Sequence, residues 1–172
     1  NLKIIELDVE EKPTGEISLA AGVGTGGSTI GGGIVEKNFL GKGVNLKTNL
    51  EISEDSVKGR FIYSKPNFNY SDNTLFTSLK STSKDNLTDF GYKVSELGFA
   101  VGTKFEQYEN LFFSPEIALS LEDLETNSSA STNLKKQEGK YEDFYFNYGL
   151  NYDLRDSVYN PTTGSKTSFF QT

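Results

Sequence analysis

Gly22, Gly24 and Gly27 keep the G-x-G-x-x-G spacing of a dinucleotide-binding loop, and a strand-like run precedes them. That loop works only when a helix follows, because the amino end of the helix holds the pyrophosphate. Here Ser28-Thr29-Ile30-Gly31-Gly32-Gly33-Ile34 follows, a run no helix tolerates. The glycines therefore read as a hairpin turn, and no cofactor is expected. Paired carboxylates are the second candidate, at Glu10-Glu11, Glu54-Asp55, Glu122-Asp123 and Glu142-Asp143. Glycoside hydrolysis needs two carboxylates facing each other across a cleft, whereas these pairs sit at strand ends beside turns, where charge marks the water boundary. Asn86-Leu87-Thr88 and Asn127-Ser128-Ser129 match glycosylation sequons, as a chain rich in Asn and Ser does by chance.

What is missing narrows the chemistry further. The chain has no Cys and no His, so it has no thiolate nucleophile, iron–sulfur site, imidazole base or usual zinc site. A net charge of −7 opposes nucleic-acid binding, which needs a basic face. No catalytic or metal-binding residue is expected, and the chain is read as a non-enzyme.

The elements that position these residues follow from period-two alternation. Val44, Leu46, Thr48, Leu50 and Ile52 alternate with Asn45, Lys47, Asn49 and Glu51. Leu111, Phe113, Pro115, Ile117, Leu119 and Leu121 alternate with Ser114, Glu116 and Ser120. Phe144, Phe146, Tyr148, Leu150, Tyr152 and Leu154 alternate with Asp143, Asn147, Asn151, Asp153 and Arg155. The pattern predicts strands near 2–10, 15–24, 28–38, 43–53, 56–66, 73–84, 89–105, 108–124, 139–154 and 164–172. The phase slips at Ser95-Glu96, which predicts a bulge or a bend there. Residues 125–139 read as a polar loop whose only packing residue is Leu134.

Two architectures fit: a soluble β-sandwich serving as a binding module, and a transmembrane β-barrel. Several of these strands exceed ten residues, whereas soluble strands centre near five or six and tilted membrane strands need about nine to eleven. Their polar faces carry Asn, Ser, Gly and Lys, which suits a water-filled lumen. The connections near 40, 69, 106 and 160 fall on one side. Those near 25, 54, 86 and 131 fall on the other, with the longest loop among them. Phe61, Tyr63, Phe68, Tyr70, Phe105, Tyr108, Phe112, Phe113, Tyr159, Phe169 and Phe170 cluster at strand ends, which fits core packing or, the favoured reading, an interfacial girdle. The expected fold is all-β, an antiparallel meander forming about eight to nine strands of a transmembrane barrel.

Asp153-Leu154-Arg155-Asp156 and Asn160-Pro161-Thr162-Thr163-Gly164 are the most specific stretches. Together they resemble the BamA family of outer-membrane β-barrel assembly factors. Three further stretches agree in order. Val9-Glu10-Glu11-Lys12-Pro13-Thr14-Gly15 is similar to the exit from the last POTRA domain, Glu36-Lys37-Asn38-Phe39-Leu40-Gly41-Lys42-Gly43 to the turn after barrel strand two, and Phe144-Tyr145-Phe146-Asn147-Tyr148-Gly149 to strand eight.

The resemblance implies residues 1–13 as the last strand of a periplasmic POTRA domain and 14–172 as the N-terminal part of the barrel. It further implies a location in the outer membrane of a Gram-negative bacterium, with the N-terminal residues on the periplasmic side. The implied activity is folding and insertion of β-barrel proteins through an edge strand, carried over here onto Glu16, Ile17, Ser18, Leu19, Ala20, Ala21, Gly22 and Val23. Implied partners are unfolded outer-membrane β-barrel proteins, outer-membrane lipids and accessory assembly lipoproteins, with self-association through open edges. The alternative is a transport pore of a related family, two-partner secretion or TamA-like.

Overall fold

Each alternating run adds one strand beside the previous one. The computed structural model describes residues 10, 12–24 and 27–172. Its strands are β1 (Gly15–Gly24), β2 (Gly27–Glu36), β3 (Asn45–Ser53), β4 (Ser56–Lys65), β5 (Thr74–Asn86), β6 (Tyr92–Tyr108), β7 (Leu111–Thr126), β8 (Gly139–Asp153) and β9 (Lys166–Gln171). They form a single nine-stranded antiparallel meander in sequence order. The strands expected from 15 onward are present, with ends within a few residues. The expected strand at 2–10 lies almost wholly outside the described residues. So do Thr25 and Gly26 of the first turn, although Gly24 pairs with Gly27 around them.

Paired residues share a face, so the register sorts the side chains into two surfaces. Outward run Ile17 with Ile34, Ile30 with Ile52, Phe61 with Leu79, Leu79 with Phe99, Phe99 with Leu119 and Leu119 with Phe144. Inward run Asn49 with Arg60, Thr82 with Glu96, Gly98 with Ser120 and Glu116 with Asn147. No second layer covers the apolar surface among the described residues: Leu19 is 85% exposed, Ile34 54% and Phe144 72%. A water-soluble sandwich would bury this face, so that architecture is excluded. An apolar face of this extent is covered by lipid, and the sheet curls around the polar one.

The sheet departs from the expected pattern in four places. At Ser95-Glu96 there is no bulge, since pairing runs unbroken from Tyr92 to Gly102. The apolar Tyr92 and Val94 keep the inward phase, and Val94 faces the buried Leu124 across β6–β7. The register shifts instead between Glu106 and Tyr108, where Gln107 is the extra residue. There the Glu106 carboxylate accepts the Asn110 N–H at 2.6 Å, closing a two-residue turn with Asn110 at φ 63°.

The stretch 125–139 is the second departure, because it is folded. β7 continues to Thr126, and a short helix, α1 (Thr132–Lys136), starts at Ser131, whose hydroxyl accepts the Leu134 N–H. Asn127 binds back to Gly91 and Leu87, and Ala130 is buried. Third, the long connections 127–138 and 154–165 lie at opposite ends of the sheet. Loop length therefore does not distinguish the two ends. Fourth, the aromatic girdle is only partly outward. Phe105, Phe113, Tyr148 and Phe169 form a ladder across β6–β9, with centroids 5.7, 6.2 and 6.1 Å apart. Phe112 and Phe170 point inward: Phe112 lies beneath Lys104 Nζ at 4.9 Å, and Phe170 covers Gly149.

The Asp156 motif organises the 154–165 connection. Its carboxylate accepts the Thr162 hydroxyl, the Thr162 N–H at 2.9 Å and the Thr163 N–H at 3.1 Å. These donors, the Thr162 hydroxyl first, hold Asp156 down to about 2. A depressed carboxyl pKa means the native state binds fewer protons than the unfolded chain. The turn is therefore fully held above the ordinary Asp value and loosens as pH falls through about 2. Amide shifts of Thr162 and Thr163 in the refolded protein should titrate with that midpoint and stay flat in Asp156→Asn; a midpoint near the unperturbed ~3.9 would contradict the geometry. In the aromatic ladder, Phe113→Leu should lower stability by about 1–2 kcal/mol in lipid, read by urea unfolding. A loss under about 0.3 kcal/mol would show that the rings add nothing beyond covered area.

Candidate functional site

The candidate site is a stretch of backbone, the edge formed by β1. Among the described residues β1 stands first in the sheet and pairs only with β2. In an antiparallel pair, alternate residues turn their N–H and C=O groups away from the partner, so an edge strand presents a row of unused donors and acceptors. All ten residues from Gly15 to Gly24 are exposed. The structure thus brings the eight expected residues, Glu16 to Val23, together along one line. Ile17, Leu19, Ala21 and Val23 face outward; Glu16, Ser18, Ala20 and Gly22 face inward.

What holds this edge is unusually thin. Ser18, Leu19 and Ala20 lie opposite Gly33, Gly32 and Gly31 in turn. Three consecutive cross-strand positions therefore lack a side chain on the β2 side, and such pairs are where sheets gain much of their stability. Ile17–Ile34 and Ala21–Ile30 are the apolar pairs that remain. The opposite edge differs, because Phe169 reaches Tyr148 at 6.1 Å and Phe170 lies over Gly149.

Side-chain polar contacts gather at the end of β1 away from the hairpin, apart from the Ser18 hydroxyl, which donates to the Gly33 carbonyl at 3.4 Å. Thr14 donates its hydroxyl to Glu36, whose carboxylate also accepts the Asn38 N–H at 2.8 Å. Lys37 N–H donates to the Thr14 carbonyl at 3.2 Å, and Lys37 Nζ reaches Glu16 at 3.5 Å. The Lys37–Glu16 pair is solvent-exposed, so its contribution is small. The turn after β2, one of the stretches expected from sequence, is thus the clasp at the base of β1.

Sequence reasoning missed an inner-face trough beside this edge, of about 460 Å³, lined by Ser18 and Ala20 of β1, Gly31 and Gly33 of β2, and Lys58 and Arg60 of β4. Its residues come from separate strands and meet only through register, so no local motif announces it. Among the described residues no group of His, Cys, Asp or Glu could hold a metal ion.

The glycines give a direct handle on the edge. A Cβ at Gly31 would meet only the Leu50 carbonyl at 3.5 Å, an ordinary contact, whereas one at Gly33 would press on Asn49 at 2.8 Å and Ser18 at 2.9 Å. Gly31→Ala should therefore slow hydrogen exchange of the β1 amides about two- to fivefold by removing unfolded-chain entropy. Gly33→Ala should leave exchange unchanged or speed it. Equal slowing by both would refute the packing argument.

Two comparisons with known proteins bear on this geometry. The model of the Omp85 superfamily domain matches residues 38–172. Among solved structures, the fold is similar to BamA from Haemophilus ducreyi lacking POTRA domains 1–3, with a TM-score of 0.69 and 24% identity. That likeness covers 94% of this chain and 34% of the other, so the chain spans about a third of the length of its structural match. The open meander is a portion of an outer-membrane β-barrel, and the chain belongs to the Omp85 superfamily.

Proposed function

We propose that β1 is the strand-pairing edge of a non-enzymatic assembly factor, which captures an extended segment of an incoming outer-membrane β-barrel protein and templates its insertion. The observation that carries this reading is the fully exposed β1 held against three successive glycines of β2. Capture is β-augmentation: the free backbone groups of the edge pair with those of the arriving strand. In hydrocarbon each unpaired backbone group costs several kcal/mol, so an edge able to leave one partner and accept another has a strong driving force. Neither nucleotide nor side-chain catalysis is required.

On this reading residues 1–13 are the exit from a periplasmic POTRA domain, and the end of the sheet holding Thr14 and the 154–165 connection faces the periplasm. Unfolded β-barrel proteins, outer-membrane lipids and accessory assembly lipoproteins are its partners, and an isolated fragment would self-associate through its open edges. A transport pore is the second reading, favoured by the charged inner face carrying Lys58, Arg60, Lys80 and Glu96. A cysteine at Ser18 or Ala20 of the longer protein should cross-link to a β-strand of a barrel substrate during folding in vesicles, and Gly31→Ala should reduce that yield. Steady ion conductance with no cross-link and no acceleration of substrate folding would decide for the pore.

A further inference from the structure

The chain is acidic overall, with net charge −7, yet its inner face is divided by sign. On β3–β5 the inward positions include Lys47, Lys58, Arg60, Lys80 and Lys84 against Glu51. On β6–β8 they include Glu96, Glu116, Glu122 and Asp143 against Lys104. The two halves meet at Lys80–Glu96, where Nζ lies 2.8 Å from the carboxylate. Lys58 pairs with Glu51 at 2.9 Å, and Lys84 stands 4.0 Å from Asp55.

On β3–β5, Lys47 and Arg60 are the exceptions: among the described residues neither enters an ion pair, and of the two it is Arg60 that lines the trough. Its cross-strand neighbours are Asn49 and Lys80, neither of them a carboxylate. An exposed guanidinium held between lysines, with its planar fork unused, is matched to a carboxylate that the described part of the chain does not supply. It forms one wall of the trough described above, whose floor is Gly31 and Gly33 and whose near wall is Ser18 and Ala20. Among the trough's own lining, the inward side chains between the β1 edge and Arg60 are small, apart from Asn49 and Glu51 of β3, so the trough opens towards that edge. Lipid is kept to the other surface, where Ile17, Leu19 and Phe61 point.

We infer that this trough binds an acidic polypeptide segment lying along the inner face of β1–β4, with a carboxylate of the segment on Arg60. The inference rests on the proposed strand capture only for the route by which the segment arrives. Electrostatic attraction of this kind guides a chain into the lumen side of the edge and weakens with ionic strength.

The test uses the longer protein in lipid nanodiscs and a fluorescent synthetic peptide alternating Asp and Thr, with an Asn–Thr peptide as control. The Asp–Thr peptide should bind, with affinity falling as salt rises, and Arg60→Gln should weaken it roughly tenfold. Arg60→Lys, which keeps the charge and loses the fork, should fall between. The Asn–Thr peptide should not bind. The inference is overturned if Arg60→Gln changes affinity less than about twofold, if the Asn–Thr peptide binds equally, or if inorganic phosphate binds with the same Arg60 dependence while the peptide does not. A Ser18→Cys cross-link in parallel samples reports strand capture separately. Arg60-dependent peptide binding without that cross-link upholds the trough and removes strand capture.

Discussion

Backbone hydrogen bonds have no substitute in hydrocarbon, and that constraint orders this chain. Every strand from β2 to β7 is flanked on both sides, as is β8 along Tyr148–Asp153, so donors and acceptors there are used, and the meander is the simplest path that achieves this. Side chains are then free to be sorted by solvent rather than packed into a core. Hence few residues are buried: Leu124 and Ala130 lie at the folded 127–138 connection, while Val44, Ser56 and Ala100 lie elsewhere. Strength within the sheet is decided by cross-strand neighbours, and it is uneven. The aromatic ladder ties β6 to β9, while glycines leave β1 loosely attached to β2.

Much of this was legible before any coordinates, because period two is a local property. Phe144 to Leu154 must alternate faces if extended, and nothing in the run favours another conformation. The weakness of β1 was legible too, since Ala20, Ala21 and Gly22 have little to pack. Failures arose where apolar residues answer to something non-local. Tyr92 and Val94 looked out of phase because they face inward opposite Thr126 and Leu124 of β7, partners far along the chain. The true bulge at Gln107 leaves no mark in hydropathy, since it depends on Glu106 capping a tight turn. Phe112 and Phe170 were read as interfacial because a sequence does not show which side of a strand end meets lipid.

The trough beside β1 was the least legible feature. Arg60, Lys80 and Ser18 are remote in sequence, and only register brings them around the glycine floor. The charge division of the inner face is likewise a sum over strands. Net charge, taken over the whole chain, conceals it.

The aromatic lids on the inner face carry a mechanical consequence. Phe76 lies against Gly102, and Phe170 against Gly149. Each ring fills the gap left by a missing side chain on the adjacent strand, like a peg in a slot. Sliding either strand pair by one step would drive that ring into a neighbour's side chain. Shear is thereby blocked across β5–β6 and β8–β9, whereas no such peg spans β1–β2 on the inner face. Under lateral tension the sheet would behave as a stiff plate with one compliant seam, and strain would collect at that seam rather than spread around the wall.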